Sequence, residues 1–171
     1  MSSKMKLTVD EVSHNLLNFS VNREALAKAF ENFPQDEGAN PVAIEYELQI
    51  LRIVSVGWGL SFFMEDSSER EALAETFWNG VQAFSGAISS LTSTSIGKEV
   101  DYFGVLKERL DLYIMVLNHF SKVNDPGAVI GPTFAKLCGS EESEAVIAAG
   151  KKMFTLSIDF VRAYLESVEI A

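Results

Sequence analysis

Apolar residues recur along most of this chain at intervals of three and four, the spacing that places them on one face of an α-helix. The pattern is clearest in the second half, where Phe103, Leu106, Leu110, Tyr113 and Leu117 form one stripe. Strict alternation of apolar and polar residues, which is typical of a strand, does not run far enough to compete. The pattern therefore predicts an all-α fold.

Four predicted helices are long enough to form an antiparallel bundle, namely residues 42–64, 68–92, 100–122 and 141–168. A short extra helix is expected near 132–138. Residues 1–33 are expected to form a pair of shorter helices, and residues 34–41, rich in turn formers and acids, to link this pair to the bundle at 42–171. A chain of 171 residues can bury a core without metal or disulfide, so 1–171 is predicted to be a single domain.

Residues that favour helix N-termini indicate where several helices begin. Thr8 and Glu11 have the spacing of a capping box, and so have Ser68 and Glu71. Asn22 is expected to cap the second helix, because its side chain can accept hydrogen bonds from the first turn. These positions predict helices that start close to residues 9, 23 and 69.

Proline, glycine and serine residues indicate where the remaining helices begin or end. Pro41 is expected in the first turn of the third helix, where a missing amide hydrogen costs nothing. The Ser/Thr-rich residues 91–97 are expected to be a loop. The short helix is expected to start at Pro132 and end at Gly139, and Ser140 to cap the last helix.

Charge is distributed unevenly around residues 53–97. Arg70 is the only base there, and the five acids crowd into the middle of the stretch, so two uncharged arms remain at 53–64 and 76–97. Charged side chains are almost never fully buried without a partner, so a segment that omits them is typical of one placed away from water. We predict that the two arms pair as a hairpin in the middle of the fold, or that they form a surface covered by a partner.

Glycines inside the predicted arms favour close contact between the two helices. A glycine in a helix costs about 1 kcal/mol relative to alanine. Gly57 and Gly59 in the first arm, and Gly80 and Gly86 in the second, therefore indicate a compensating close approach. The alternative is a kink at Gly57 or Gly59. Before the first arm the third helix is amphipathic, with Arg52 expected on its polar face.

The net charge of −10 argues against an electrostatic partner such as nucleic acid or an anionic membrane, because both require a basic surface. The single cysteine, Cys138, excludes an internal disulfide and favours a reducing compartment, so a cytoplasmic location is expected. Residues 76–97 are long enough to span a membrane, but they contain Asn79, Gln82 and many Ser and Thr residues. No stable transmembrane helix is therefore expected.

Candidate chemistry is sparse. A di-iron bundle needs two Glu-x-x-His pairs, whereas only Glu11 and His14 form one. His119 is expected at the edge of a helix stripe as a hydrogen-bonded histidine, and Cys138 as a small buried apolar residue. We predict no catalytic residues, no metal site and no cofactor, hence a non-enzymatic protein.

Three functional hypotheses follow, all of which involve the uncharged segment. The first is association, most simply as a homo-oligomer that buries part of residues 53–97. The second is binding of a small apolar ligand between bundle helices. The third is insertion of the hairpin into a membrane at low pH, when the acids between the arms are neutralised. The candidate interface or pocket residues are Trp58, Phe62, Phe63, Trp78 and Phe84.

Overall fold

The computed structural model describes residues 3–31, 40–97, 99–119, 122 and 124–171. Of the described residues, 80% are helical, which confirms the all-α class. The elements in chain order are β1 (Met5–Leu7), α1 (Val9–Val21), α2 (Arg23–Phe30), α3 (Pro41–Phe63), α4 (Ser68–Ile96), α5 (Tyr102–His119), α6 (Gly127–Leu137), α7 (Glu144–Ser167) and β2 (Val168–Ile170). In the described part of the chain, no helix is both long enough and apolar enough to cross a membrane.

The caps predicted for the N-terminal helices are confirmed. The backbone N–H of Glu11 donates to the Thr8 hydroxyl at 3.2 Å, and the Thr8 N–H donates to the Glu11 carboxylate at 2.8 Å, which completes a capping box. The Asn22 side chain accepts two N–H bonds from the first turn of α2. Pro41 begins α3 as predicted, with Asn40 as its N-cap.

Two predicted caps are wrong by one and three residues. The side chain that accepts a bond at the start of α4 belongs to Ser67, because Ser67 has an extended backbone while Ser68 is already helical. At the start of α7 the capping residue is Ser143. Ser140 does not serve there, because α7 begins only at Glu144, and the Ser140 N–H instead donates to the carbonyl of Ala135 at the end of α6.

Two helices extend beyond their predicted limits. The Ser/Thr-rich residues 91–96 continue α4, and the Thr94 hydroxyl donates to the Ser90 carbonyl one turn earlier, which accommodates a polar side chain in the helix. Gly97 ends α4 with a positive φ of 69°. The short helix α6 begins at Gly127, so Pro132 lies inside it. It ends before Gly139, which has a φ of 71°.

Some predicted features fall on residues outside the described ranges. The end of the second helix at residue 33 and most of the linker at 34–41 belong to the gap at 32–39. The predicted end of the fifth helix, at 120–122, also falls largely outside the described residues.

α3 is the central element of the described fold. From Leu48 to Leu60 every residue is buried except Gln49 and Trp58, which are half-buried. α3 contacts each of the other six helices and packs most extensively on α7, whereas α4 packs mainly on α1. Residues 53–60 of the first uncharged arm therefore lie in the interior, but the main neighbour of α3 is α7 and not the second arm.

The glycines show which helices approach one another closely. The indole of Trp78 in α4 lies directly on Gly57 of α3, leaving no room for a β-carbon, so the two arms do meet there. Gly59 faces Val161 of α7, and Gly80 faces Leu17 of α1. The expectation that all four glycines bring the two arms together therefore holds only for Gly57. Gly59 faces α7, Gly80 faces α1, and Gly86 faces solvent.

The short strands β1 and β2 form a parallel pair that joins the two ends of the chain. Met5 pairs with Val168, and Leu7 pairs with Ile170. The N–H of Ala171 adds a bond to the Leu7 carbonyl at 2.9 Å. The sequence pattern did not predict this pair, because three residues are too few to show alternation.

Substitution of Gly57 by alanine should destabilise the protein even though alanine is the better helix former. The new methyl group would overlap the Trp78 ring, an overpacking that costs about 1–3 kcal/mol. Gly86→Ala is the matched control, because nothing beyond its chain neighbours and the backbone of its own helix lies within 4 Å of its β-carbon position, and it should stabilise by about 0.5–1 kcal/mol. Urea unfolding of both variants measures the difference. Equal stabilisation by both would contradict the close contact.

Candidate functional site

Three of the predicted site residues lie together at the C-terminal end of α3. The rings of Trp58 and Phe62 are stacked, with centroids 4.7 Å apart. Phe63 packs edge-on against Phe62 at 5.2 Å, and the guanidinium of Arg162 in α7 lies over the Phe63 ring at 4.7 Å. Phe62 is 64% exposed, so this cluster borders the surface.

The other two predicted residues lie in different surroundings. Trp78 covers Gly57 and packs edge-on against Phe77, whereas Phe84 packs edge-on against Tyr102 of α5 at 6.5 Å. The interior space beside Trp58, which the side chains of Tyr113 and Phe154 also line, has no room for a water molecule. The five aromatic residues are thus not gathered around one cavity.

An open groove of about 470 Å³ lies elsewhere, between α2, α3, the C-terminal half of α4 and the segment leading into α5. Most of its lining is apolar. Val42 and Leu91 are 75% and 68% exposed, which is unusual for large apolar side chains that face one groove. The apolar lining residues are Leu26, Val42, Ile88, Leu91 and Val100.

Two tyrosines and an amide supply hydrogen-bonding groups to the groove. The rings of Tyr46 and Tyr102 pack edge to face with centroids 5.7 Å apart, and the Tyr102 hydroxyl donates to the Gln49 side-chain oxygen at 2.9 Å. Burial raises the pKa of both phenols, with Glu47 adding to the effect. Both tyrosines therefore stay protonated near neutral pH and can donate hydrogen bonds.

A buried ion pair lies beside this groove. Glu47 of α3 is only 4% exposed, and its carboxylate accepts bonds from Arg109 of α5 through both Nε (3.0 Å) and Nη2 (2.8 Å). Hydrogen bonding to this carboxylate raises the pKa of Arg109. The bidentate geometry fixes α5 against α3, which positions Tyr102 at the start of α5 beside Gln49.

Sequence reasoning missed the Glu47–Arg109 pair, although a signal was present. Glu47 lies three residues after Ile44 and four before Leu51, so it interrupts the buried stripe of α3. A charged residue in such a position requires a partner from another helix, and only the structure identifies Arg109 as that partner.

Arg52 was expected on a polar face, and this expectation is wrong. It is 5% exposed, and its guanidinium lies 4.1 Å from the ring centroid of Phe19 in α1. Phe19 stacks in turn on Phe160 of α7 at 3.6 Å. Burial lowers the pKa of Arg52, and no acid among the described residues forms an ion pair with it. The aromatic face partly replaces that missing acid.

The two histidines do not line the groove. His14 and His119 are both exposed. Within the described ranges, no group of three or more His, Cys, Asp or Glu residues could hold a metal ion. Tyr113 is buried close to Glu47, and its hydroxyl has no hydrogen-bond partner among the described residues.

Comparison of the chain with family models, with curated proteins and with solved structures found no match.

Cys138 should be unreactive toward thiol reagents in the folded protein. Burial, and to a lesser extent the charge of Glu47, raises the pKa of this thiol to about 12. At pH 8 the thiolate fraction is then about one in ten thousand, roughly a thousand times below that of an ordinary cysteine. Modification by a disulfide reagent at pH 8, with and without denaturant, measures the difference. Rapid modification of the folded protein would contradict the buried position.

Proposed function

We propose that this protein binds a small, largely apolar ligand in the groove between α2, α3, α4 and α5. The observation that carries the proposal is the groove itself, a concave space of about 470 Å³ with apolar walls. Ligand sites are typically clefts of roughly 300–1,000 Å³ with apolar lining and a few polar groups that orient the ligand. The groove has this volume and this composition.

The exposed apolar side chains supply the affinity in this proposal. Val42 and Leu91 lie on different helices, α3 and α4, and both line the groove while largely exposed. Covering such a side chain contributes up to about 1.5–3 kcal/mol when the burial is complete. A ligand that contacts both walls at once removes apolar surface from water on the ligand and on the protein.

The polar groups of the groove supply orientation. The Tyr102 hydroxyl is already committed to Gln49, so the amide N–H₂ of Gln49 and the Tyr46 hydroxyl are the groups with capacity for a ligand. Both lie on α3, which the Glu47–Arg109 pair holds against α5. The site is therefore built on a rigid frame, which limits the ordering that binding requires.

Val42→Gln should weaken binding of a neutral apolar dye such as Nile red by about fivefold, because a polar group replaces apolar contact in the groove wall. Met115→Gln is the matched control, since Met115 is 60% exposed on α5 and does not line the groove. Fluorescence titration of the dye measures both affinities. Equal losses in the two variants, or no binding by the native protein, would overturn the proposal.

A second candidate function is self-association through the outward face of α4. This face belongs to the uncharged arm 76–97, and its exposed residues carry no charge in a protein with a net charge of −10. They are Asn79, Gln82, Ala83, Gly86, Ala87, Ser90, Leu91 and Thr94. Small side chains allow close approach of a second helix.

A symmetric arrangement suits the charges of this helix. If α4 helices from two copies pack antiparallel and cross near Gly86, uncharged residues meet uncharged residues, and Glu69 and Glu71 lie beyond the end of the second helix. The acidic first turn of α4 then stays in water.

Low-pH membrane insertion of the two arms stays a hypothesis, and it would require α3 to leave its contacts with α7.

Ala87→Glu should shift a dimer to monomer, because the change places two like charges near the symmetry axis of such an interface. Ala148→Glu provides the control, since Ala148 is an exposed alanine on α7. Sedimentation velocity at micromolar concentrations distinguishes the states. A native protein that sediments strictly as a monomer would remove this second candidate.

A further inference from the structure

We infer that the ligand of the groove is a single-chain amphiphile with a zwitterionic head group, which Arg23 and Glu45 bind through its negative and positive ends. This inference rests on the proposed function, because it names the chemical class of ligand that the same groove would take. It follows from the charges at the groove and their relation to the apolar walls.

Among the described residues, Arg23 and Glu45 are the charged ones that line the groove. Neither takes part in an ion pair with any described residue, so their charged atoms lie more than 4.0 Å apart. Opposite charges at one groove, not joined to each other, can each bind the complementary charge of a ligand placed between them. A head group that carries both signs matches this arrangement.

The position of Arg23 points to the same region of the groove as the hydrogen-bonding groups. Arg23 is the first residue of α2, and its positive charge opposes part of the rise that burial causes in the pKa of Tyr102. Arg23, Gln49 and Tyr102 all line the groove. An anionic group bound by Arg23 would also lie within reach of the Gln49 amide, which the Tyr102 hydroxyl holds in place.

The positive end of the head group would lie near Glu45 and the aromatic rings. Glu45 precedes Tyr46 in α3, and both line the groove. A carboxylate beside aromatic rings is a favourable environment for an ammonium group, because the ring faces also attract cations. Tyr46, which is half-buried at the groove, presents such a ring, and the buried Tyr102 ring packs against it edge to face.

Ligands with one charge or none fit less well. A purely anionic amphiphile would meet Glu45 and a protein of net charge −10, and a purely cationic one would leave Arg23 without a partner. A neutral amphiphile would use the apolar walls but neither charge. The tail of the ligand would lie along Val42, Ile88 and Leu91, which form the apolar part of the groove.

The test compares probes that share a dodecyl chain and differ only in the head group. They are dodecylphosphocholine, dodecyl sulfate, dodecyltrimethylammonium and dodecyl maltoside, each titrated calorimetrically below its critical micelle concentration. Circular dichroism verifies that the protein stays folded in each probe. We expect dodecylphosphocholine to bind about tenfold more tightly than the maltoside, the sum of two exposed charge interactions.

Two variants assign the charges. Arg23→Gln and Glu45→Gln should each lower the affinity for dodecylphosphocholine by about three- to fivefold. The affinity for dodecyl maltoside should change by no more than about twofold. Lys136→Gln and Glu166→Gln carry the same charge changes at exposed positions that do not line the groove, and they should change neither affinity.

The outcomes separate this inference from the proposed function. If all four probes bind equally tightly, or if the sulfate or the trimethylammonium probe binds more tightly than the phosphocholine, the head-group assignment is overturned while ligand binding stands. If Arg23→Gln lowers the affinity for the maltoside as much as the affinity for the phosphocholine, the effect of the substitution is structural and the head-group assignment is again overturned. If no probe binds, both the inference and the proposed function fail.

Discussion

A carboxylate buried in the central helix constrains how the rest of the molecule is assembled. Glu47 lies in the interior of α3, where an unpaired charge would be strongly unfavourable, and Arg109 of α5 satisfies it with a bidentate contact. Loss of one partner of such a pair typically costs about 3–5 kcal/mol, because the other charge stays buried. α5 can therefore occupy only a narrow range of positions on α3. Because Tyr102 at the start of α5 lines the groove, the shape of the groove is restricted as well.

The helices could be predicted from the sequence because each repeats its apolar pattern over several turns, and the caps at Thr8 and Asn22 followed from side-chain chemistry. Which helices pack against one another could not be predicted from the sequence. Periodicity shows which face of a helix is buried but not which helix covers it, so Gly80 was matched with α3 although it faces Leu17 of α1. Ser67 and Ser68 could each cap α4 as judged from the sequence, and only the backbone conformation shows that Ser67 does so.

The candidate site was harder to predict, because its residues come from four helices and the segment before α5, far apart in the chain. Arg23 and Glu45 have the pattern of ordinary surface charges until the fold places them at one groove. Absence of charge was also an ambiguous signal. It correctly indicated burial for Ile53 and its neighbours in α3, whereas the uncharged arm of α4 keeps exposed positions such as Ala87. Burial depends on what covers a face, and a single helix does not contain that information.

Leu91 connects the two proposed activities. It lines the groove and also belongs to the outward face of α4, so a ligand tail and a second copy of the chain would share part of one apolar surface. If the ligand covers Leu91 fully, it removes apolar area from the interface and weakens association. If the ligand instead fills only the floor of the groove, it completes a continuous apolar surface and strengthens association. Thermodynamic linkage requires association to change ligand affinity by the same factor, so either sign couples the oligomeric state to ligand concentration.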